Sequence, residues 1–202
     1  MKKHTLIALT RLLFGLIGLA AIIIQLVQNI QQGLNIGNFF SFFTIESNML
    51  AVALLLSIGI YGLLGKQEGK QIAFLRGAVT LYMTMTGVIY VLLLVNTPQM
   101  TIPWINTVWH YGMPIVILTD WLIFPPKQRI SFTQALLWLM FPLAYMMYSI
   151  IRGTLTQWYP YSFIDPIVNG WPQVLVTNIV IGIGVIALSW LLTLRSASKP
   201  SI

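Results

Sequence analysis

No charged residue stands between Asp165 and Arg195, and the stretch TNIVIGIGVIALSWLLTL, residues 177–194, is apolar at nearly every position. A run of that length has few homes. About 20 predominantly apolar residues cover the roughly 30 Å of bilayer hydrocarbon at about 1.5 Å per residue. In hydrocarbon the backbone's polar groups must pair internally, so a spanning segment is a helix or a strand of a closed barrel. The alternation of a barrel strand is missing here. The same apolar pattern recurs along the chain and gives six expected spans, 6–28, 42–64, 72–95, 107–124, 132–151 and 173–195. Their connectors are short, and no soluble domain, low-complexity segment or internal repeat interrupts them. The expectation is one domain over 1–202, an all-α integral membrane protein built as a six-transmembrane-helix bundle.

Composition agrees. Of 202 residues only 7% are charged and 57% are hydrophobic, with a mean hydropathy of +0.84, where a soluble domain carries about a quarter charged residues. The absence of cysteine excludes disulfides and thiolate metal sites, and two histidines with four acids are few for a metal cage. No metal site is expected. The formal charge of +7 comes from basic residues standing singly between apolar runs, unlike a nucleic-acid patch with interleaved aromatics. Nucleic acid is therefore not an expected partner.

Those basic residues orient the bundle instead. Lys2, Lys3, Arg11, Lys66, Lys70, Arg76, Lys127, Arg129, Arg195 and Lys199 fall at the termini or in the second and fourth connectors, and Arg152 alone falls on the other side. By the positive-inside rule both the N-terminus and the C-terminus are expected in the cytoplasm. The apolar run from Leu6 to about Val27 is longer than a signal-peptide core, so a first span is expected there.

Polar residues then collect at one level. Thr44, Glu46, Ser47 and Asn48 lie in the first turns of the second span, Asn106 and His110 open the fourth, Arg152 ends the fifth, and Asp165 lies in the connector after it. Ionisable groups at such depth mark functional sites unless they face a partner. Thr44, Ser47 and Asn48 share one helical face, whereas Glu46 points away. Glu46 is expected to complement the helix dipole, with Thr44 or Asn38 as the cap, or to pair with Arg152. His110 is suited to general base work, although an intramembrane histidine also serves as a hydrogen-bond partner between helices. Asp120, about 15 Å further along that helix, is expected to pair with Arg129 or a basic residue of another inner loop, or to form a water-filled relay toward His110. The connector RGTLTQWYPYSFIDPIVNGWP reads as a lid or pocket wall in which Arg152 and Asp165 pair and Trp158, Tyr159 and Tyr161 belong to the interfacial aromatic belt.

Three segments, FFTIESNML, WINTVWHYGMPIVILTD with its W-x-N-x-x-x-H core and an acid ten residues on, and WYPYSFID, resemble the androgen-induced protein family, which includes the androgen-dependent TFPI-regulating protein and six-span bacterial relatives. The order of the segments and the six-span plan match across most of the chain. Vertebrate members are intramembrane hydrolases of fatty acid esters of hydroxy fatty acids with a threonine nucleophile and a histidine. The resemblance implies that Thr44 is the nucleophile and His110 the base, with membrane lipids and a lipid ester as partners and substrate. It implies no metal and no organic cofactor, and a multi-pass protein of a bacterial plasma membrane. Asn48, Asn106 and Arg152 are the candidates for oxyanion or pocket contacts, and Glu46, Ser47, Asp120, Asp165, Trp109 and Trp158 the expected supporting residues. The rival expectations are a non-catalytic lipid-binding or structural membrane protein, and a small transporter with a path through Glu46, His110 and Asp120.

Overall fold

The computed structural model describes residues 3–97 and 101–196, and within them every regular element is helical. Lys2 and Lys199, two of the residues used for orientation, lie outside the described residues. Among the described residues five helices are long and apolar enough to cross a membrane. They are α1 (Lys3–Gln31), α3 (Phe43–Leu63), α4 (Lys70–Ile89) with its π-helical extension Tyr90–Leu94, the stretch that joins α7 (Phe132–Ala135) through a 3-10 turn to α8 (Met140–Thr156), and α9 (Pro166–Thr193). A short α2 (Ile36–Phe40) precedes α3, capped by the Asn35 side chain, which accepts from the Asn38 N–H at 3.2 Å. The segment expected as the fourth span is broken into α5 (Pro103–Thr107), a π turn (Val108–Gly112) and α6 (Met113–Ile123).

Small residues let the first two long helices approach closely, as van der Waals packing in a membrane favours. A Cβ on Gly15 would stand 2.8 Å from Leu56 Cδ2, and one on Gly59 would stand 2.7 Å from Leu12 Cγ. The core divides into two clusters on either side of α4. Leu55, Ile58, Met83, Ile105 and Met113 pack between α1, α3, α4 and the α5–α6 segment. Leu81, Tyr82, Trp121, Trp138 and Val185 pack on its other side, toward α8 and α9. Helix α4 is thus the central element. The outward faces of α1 and α9 carry exposed Leu13, Leu16, Ile179, Val180 and Ile183, an apolar exterior suited to hydrocarbon.

α9 is not one rod. Gly170 takes a left-handed φ of 74° with ψ of 152°, and Pro172 follows, so the regular helix runs onward from about the residue where the sixth span was expected. Asp165 caps the short turn before the break, accepting from the Ile167 N–H at 2.8 Å. It does not pair with Arg152 as expected.

At the opposite end of the bundle, four charged side chains close into a ring. Arg11 donates through Nε to Asp120 Oδ1 at 2.8 Å, Arg76 Nη2 donates to Asp120 Oδ2 at 2.7 Å, and Glu68 accepts from Arg76 Nη1 at 2.6 Å and from Arg11 Nη1 at 3.3 Å. Arg129 is not Asp120's partner. Two arginines on the interior faces of α1 and α4 reach the carboxylate first, because they point across the bundle from the helices that flank α6. Both carboxylate oxygens of Asp120 are engaged by these two arginines. Removing one member of a buried pair strands the others and typically costs about 3–5 kcal/mol. Asp120→Ala is therefore expected to lower stability by about that much, with Asp120→Asn milder, as read by thermal unfolding in detergent; a wild-type melting profile for Asp120→Ala would contradict the role.

Candidate functional site

The first turn of a helix leaves backbone N–H groups without helical acceptors. In α3 the N-cap is Phe42, which has no side chain able to accept. Thr44, expected as a possible cap, sits inside the helix instead. Its N–H is served from a distant segment. Tyr161 Oη lies 3.1 Å from the Thr44 nitrogen and 3.1 Å from Thr44 Oγ1. Since the phenol oxygen accepts from the amide, its own proton is free to be donated. Burial pushes the Tyr161 phenol's pKa up, with the Thr44 contacts pulling the other way, so the hydroxyl is held as a neutral donor.

The connector reaches that position by folding back over α3. Gln157 turns the chain with a φ of 55°, and Gly153 leaves room for the Tyr159 ring, which would overlap a Cβ there. Phe42 then packs edge-on against both Trp158 and Tyr161, with ring centroids 5.6 and 5.5 Å away. Tyr161 is thereby turned inward and does not belong to an interfacial belt. Its role escaped the sequence, where the only available signal was its place in a long aromatic connector.

His110 meets Thr44 from the α5–α6 segment. Its Nε2 is 3.2 Å from Thr44 Oγ1, and its Nδ1 is 3.1 Å from the Asn106 carbonyl oxygen. A carbonyl only accepts, so the neutral ring carries its proton on Nδ1 and presents the Nε2 lone pair to the hydroxyl. The ring is held flat against Tyr90, with centroids 3.9 Å apart and planes 18° from parallel. Tyr90 opens the π turn at the end of α4, His110 lies in the π turn Val108–Gly112, and the two face each other. Single π turns of this kind often re-aim side chains at functional sites. Gly87 permits the approach, because a Cβ there would stand 3.1 Å from Pro114 Cβ and 3.3 Å from the His110 carbonyl.

The broken ladder exposes backbone oxygens that need partners. In the π register the Trp109 carbonyl would accept from residue 114, which is proline and has no N–H. Asn48 Nδ2 supplies the donor at 3.4 Å while also donating to the Thr44 carbonyl at 2.8 Å. Ser47 Oγ donates to the Thr44 carbonyl at 3.2 Å and lies 2.9 Å from Thr86 Oγ1. Asn48 was expected as an oxyanion donor; both of its N–H groups are directed at backbone oxygens. Its work is to tie α3 to the broken segment.

The other expected members fall outside this centre or support it differently. Asn106 donates through Nδ2 to Tyr90 Oη at 2.6 Å, so it braces the ring behind His110. Arg152 donates to Asn38 Oδ1 at 2.6 Å and lies over the Trp158 ring at 4.8 Å. It pairs with neither Glu46 nor Asp165. Glu46, half-buried in the first turn of α3, makes no side-chain hydrogen bond or ion pair with a described residue; its charge complements the helix dipole and lies near enough to Tyr161 to help push that phenol's pKa up. Trp109 is buried beside Phe39 and walls the site.

Two cavities have Thr44 in their walls. The larger, of about 480 Å³, is lined by Gln25, Asn29, Asn38, Tyr90 and His110 among others, and the smaller, of about 290 Å³, by apolar residues of α4, α8 and α9. Thr44 and Tyr161 line both. Among the described residues no group of three His, Asp or Glu side chains is placed to hold a metal. A hydroxyl held by an oriented histidine, beside two donors and between two cavities, is an arrangement able to carry out nucleophilic chemistry. Comparison with protein-family models, with curated proteins and with solved structures finds no match.

Because Asn48 satisfies two backbone oxygens, Asn48→Ala leaves the Trp109 carbonyl unpaired in an apolar setting. The expected loss is about 1–3 kcal/mol, read by thermal unfolding, and a stability equal to wild type would show that the carbonyl finds another donor.

Proposed function

We propose that this protein is an intramembrane lipid ester hydrolase in which Thr44 is the nucleophile and His110 the general base. The observation that carries the reading is the 3.2 Å contact between Thr44 Oγ1 and a His110 Nε2 whose tautomer is set by the Asn106 carbonyl. It accords with a relationship to the androgen-induced protein family and with a six-span chain. In this reading α5, the π turn and α6 run together as the fourth span, both termini are cytoplasmic, and the site opens toward the outer face of a bacterial plasma membrane.

The chemistry follows from the geometry. His110 Nε2 takes the hydroxyl proton as Oγ1 attacks the ester carbonyl carbon. Negative charge develops on the carbonyl oxygen, and the Thr44 N–H and the Tyr161 O–H are the two donors within reach of it. The substrate oxygen takes over the amide that Tyr161 accepts from when the site is empty. Collapse breaks the bond to the alcohol, which leaves with the proton held by His110. Water from the polar cavity then attacks the acyl-threonine with His110 again as base, releasing the fatty acid and restoring the hydroxyl. No residue beyond this chain's own is needed for these steps.

The transport reading draws less support, because Asp120 is closed within the Arg11, Arg76 and Glu68 ring and lies at the other end of the bundle from His110. Hydrolysis of a panel of lipid esters, including a fatty acid ester of a hydroxy fatty acid, by detergent-purified protein tests the proposal. Thr44→Ala and His110→Ala are expected to abolish turnover, and Thr44→Ala to abolish labelling by a fluorophosphonate probe. Tyr161→Phe is expected to lower kcat by about 10²–10³ with little change in KM. Turnover that survives in folded Thr44→Ala, or a wild type inert toward every ester, would overturn the mechanism.

A further inference from the structure

The smaller cavity is a groove between α8 and α9 floored by α4, and its lining includes Ile89, Leu143, Met146, Ile181, Gly182 and Val185. It begins at Thr44 and Tyr161 and extends into the middle of these helices. The few polar groups along it are already engaged. Thr86 donates to the Tyr82 carbonyl at 3.0 Å, Asn178 to the Val174 carbonyl at 2.7 Å, and Tyr145 to the Ser41 carbonyl at 3.0 Å. A buried water needs two to four polar partners, and away from the Thr44 end the lining is apolar apart from these three side chains, each already held in a hydrogen bond. An apolar occupant is what it can hold.

Its mouth faces sideways. Leu143 and Ile186 line the groove yet are 60% and 43% exposed, and both lie in the middle of apolar helices long enough to span a membrane. At that level the surroundings are lipid chains, not water. The larger cavity differs in kind, since Gln25, Asn29, Asn35, Asn38 and Ser162 bring amides and a hydroxyl to its walls. An ester carbonyl placed at Thr44 Oγ1 therefore has an apolar compartment on one side and a hydrogen-bonding one on the other.

Resting on the hydrolase reading above, we infer that the α8–α9 groove is the acyl-chain site, filled sideways from the bilayer, and that the alcohol half of the ester occupies the polar cavity. The substrate class is a fatty acyl ester of a hydrogen-bonding alcohol. The chain enters without crossing water, so its apolar surface is never exposed during binding. The released fatty acid returns to the membrane by the same opening, while water arrives through the polar cavity on the other side of Thr44.

Gly182 makes this testable. A Cβ there meets nothing within 4 Å and Gly182 lines the groove, so a side chain at this position has open space at its base from which to occupy the groove. Replacing a helical glycine also favours the helix. Gly184 has equal space but does not line the groove, so Gly184→Leu is the matched control. With butanoyl, octanoyl, dodecanoyl and hexadecanoyl esters of one alcohol, Gly182→Leu is expected to lower the long-chain to short-chain ratio of kcat/KM about tenfold or more, each excluded methylene forfeiting its burial. Gly184→Leu is expected to keep the wild-type ratio.

A second readout does not depend on turnover. In the Thr44→Ala background, a fatty acyl ester with a diazirine near its chain end is expected to cross-link to α8 and α9, and Gly182→Leu to suppress that labelling. Hydrolysis with an unchanged chain-length ratio in Gly182→Leu, or cross-linking indifferent to that substitution, overturns the groove assignment and leaves the threonine and histidine mechanism standing. A wild type that hydrolyses no ester but is labelled in a Gly182-dependent way overturns the hydrolase reading and retains the groove as a lipid-chain site.

Discussion

A backbone N–H or carbonyl without a partner in hydrocarbon costs several kcal/mol, and the centre of this protein is built where the helical ladders are interrupted. The α3 N-terminus leaves the Thr44 amide to Tyr161, and the π turn with Pro114 leaves the Trp109 carbonyl to Asn48. Each interruption demands a side chain from elsewhere. Meeting those demands draws α3, α4, the α5–α6 segment and the connector to one point, and that point is where Thr44 and His110 touch.

The two ends of the bundle solve the problem of burying polarity in different ways. At one end, opposite charges neutralise one another in the ring of Arg11, Arg76, Glu68 and Asp120. Such a ring fixes the relative positions of α1, α4 and α6 and has no spare capacity. At the other end Arg152 and Asp165 are held apart from the centre, whose own groups around Thr44 are hydroxyls, amides and an imidazole, several of which can exchange donor and acceptor roles as a proton moves. The charged ring is a clamp, and the centre around Thr44 is able to do chemistry.

The residues at the centre were legible from sequence in uneven measure. Thr44, Ser47 and Asn48 share a face by helical periodicity alone, and all three are buried there. Thr44 and His110 could be placed at one depth, because span boundaries and helical rise set depth along the membrane normal. Tyr161 was not legible as a member, since an aromatic residue in an interfacial connector has the same local sequence whether its ring faces lipid or folds inward. What turns it inward is the left-handed Gln157 and the space over Gly153. Asp120 was legible as an acid paired with a basic residue of an inner loop, which Arg76 of the second connector's basic set supplies, whereas its other partner, Arg11, lies 109 residues away and was not legible.

The chain by itself determined that the protein is helical and suited to a membrane, where its long apolar helices lie, and which rare polar residues stand near which end. Those are local or additive properties, since hydropathy sums along a window and a helix has a fixed rise. Only the tertiary structure decided that Thr44 meets His110, that His110 presents Nε2, that Asn48 is engaged while Tyr161 has a proton to give, and that two unlike cavities share Thr44 in their walls. Those outcomes depend on which of several donors and acceptors, distant in the chain, come within about 3 Å of one another. A hydrogen bond is lost within a fraction of that distance, and no periodicity in the sequence carries such precision.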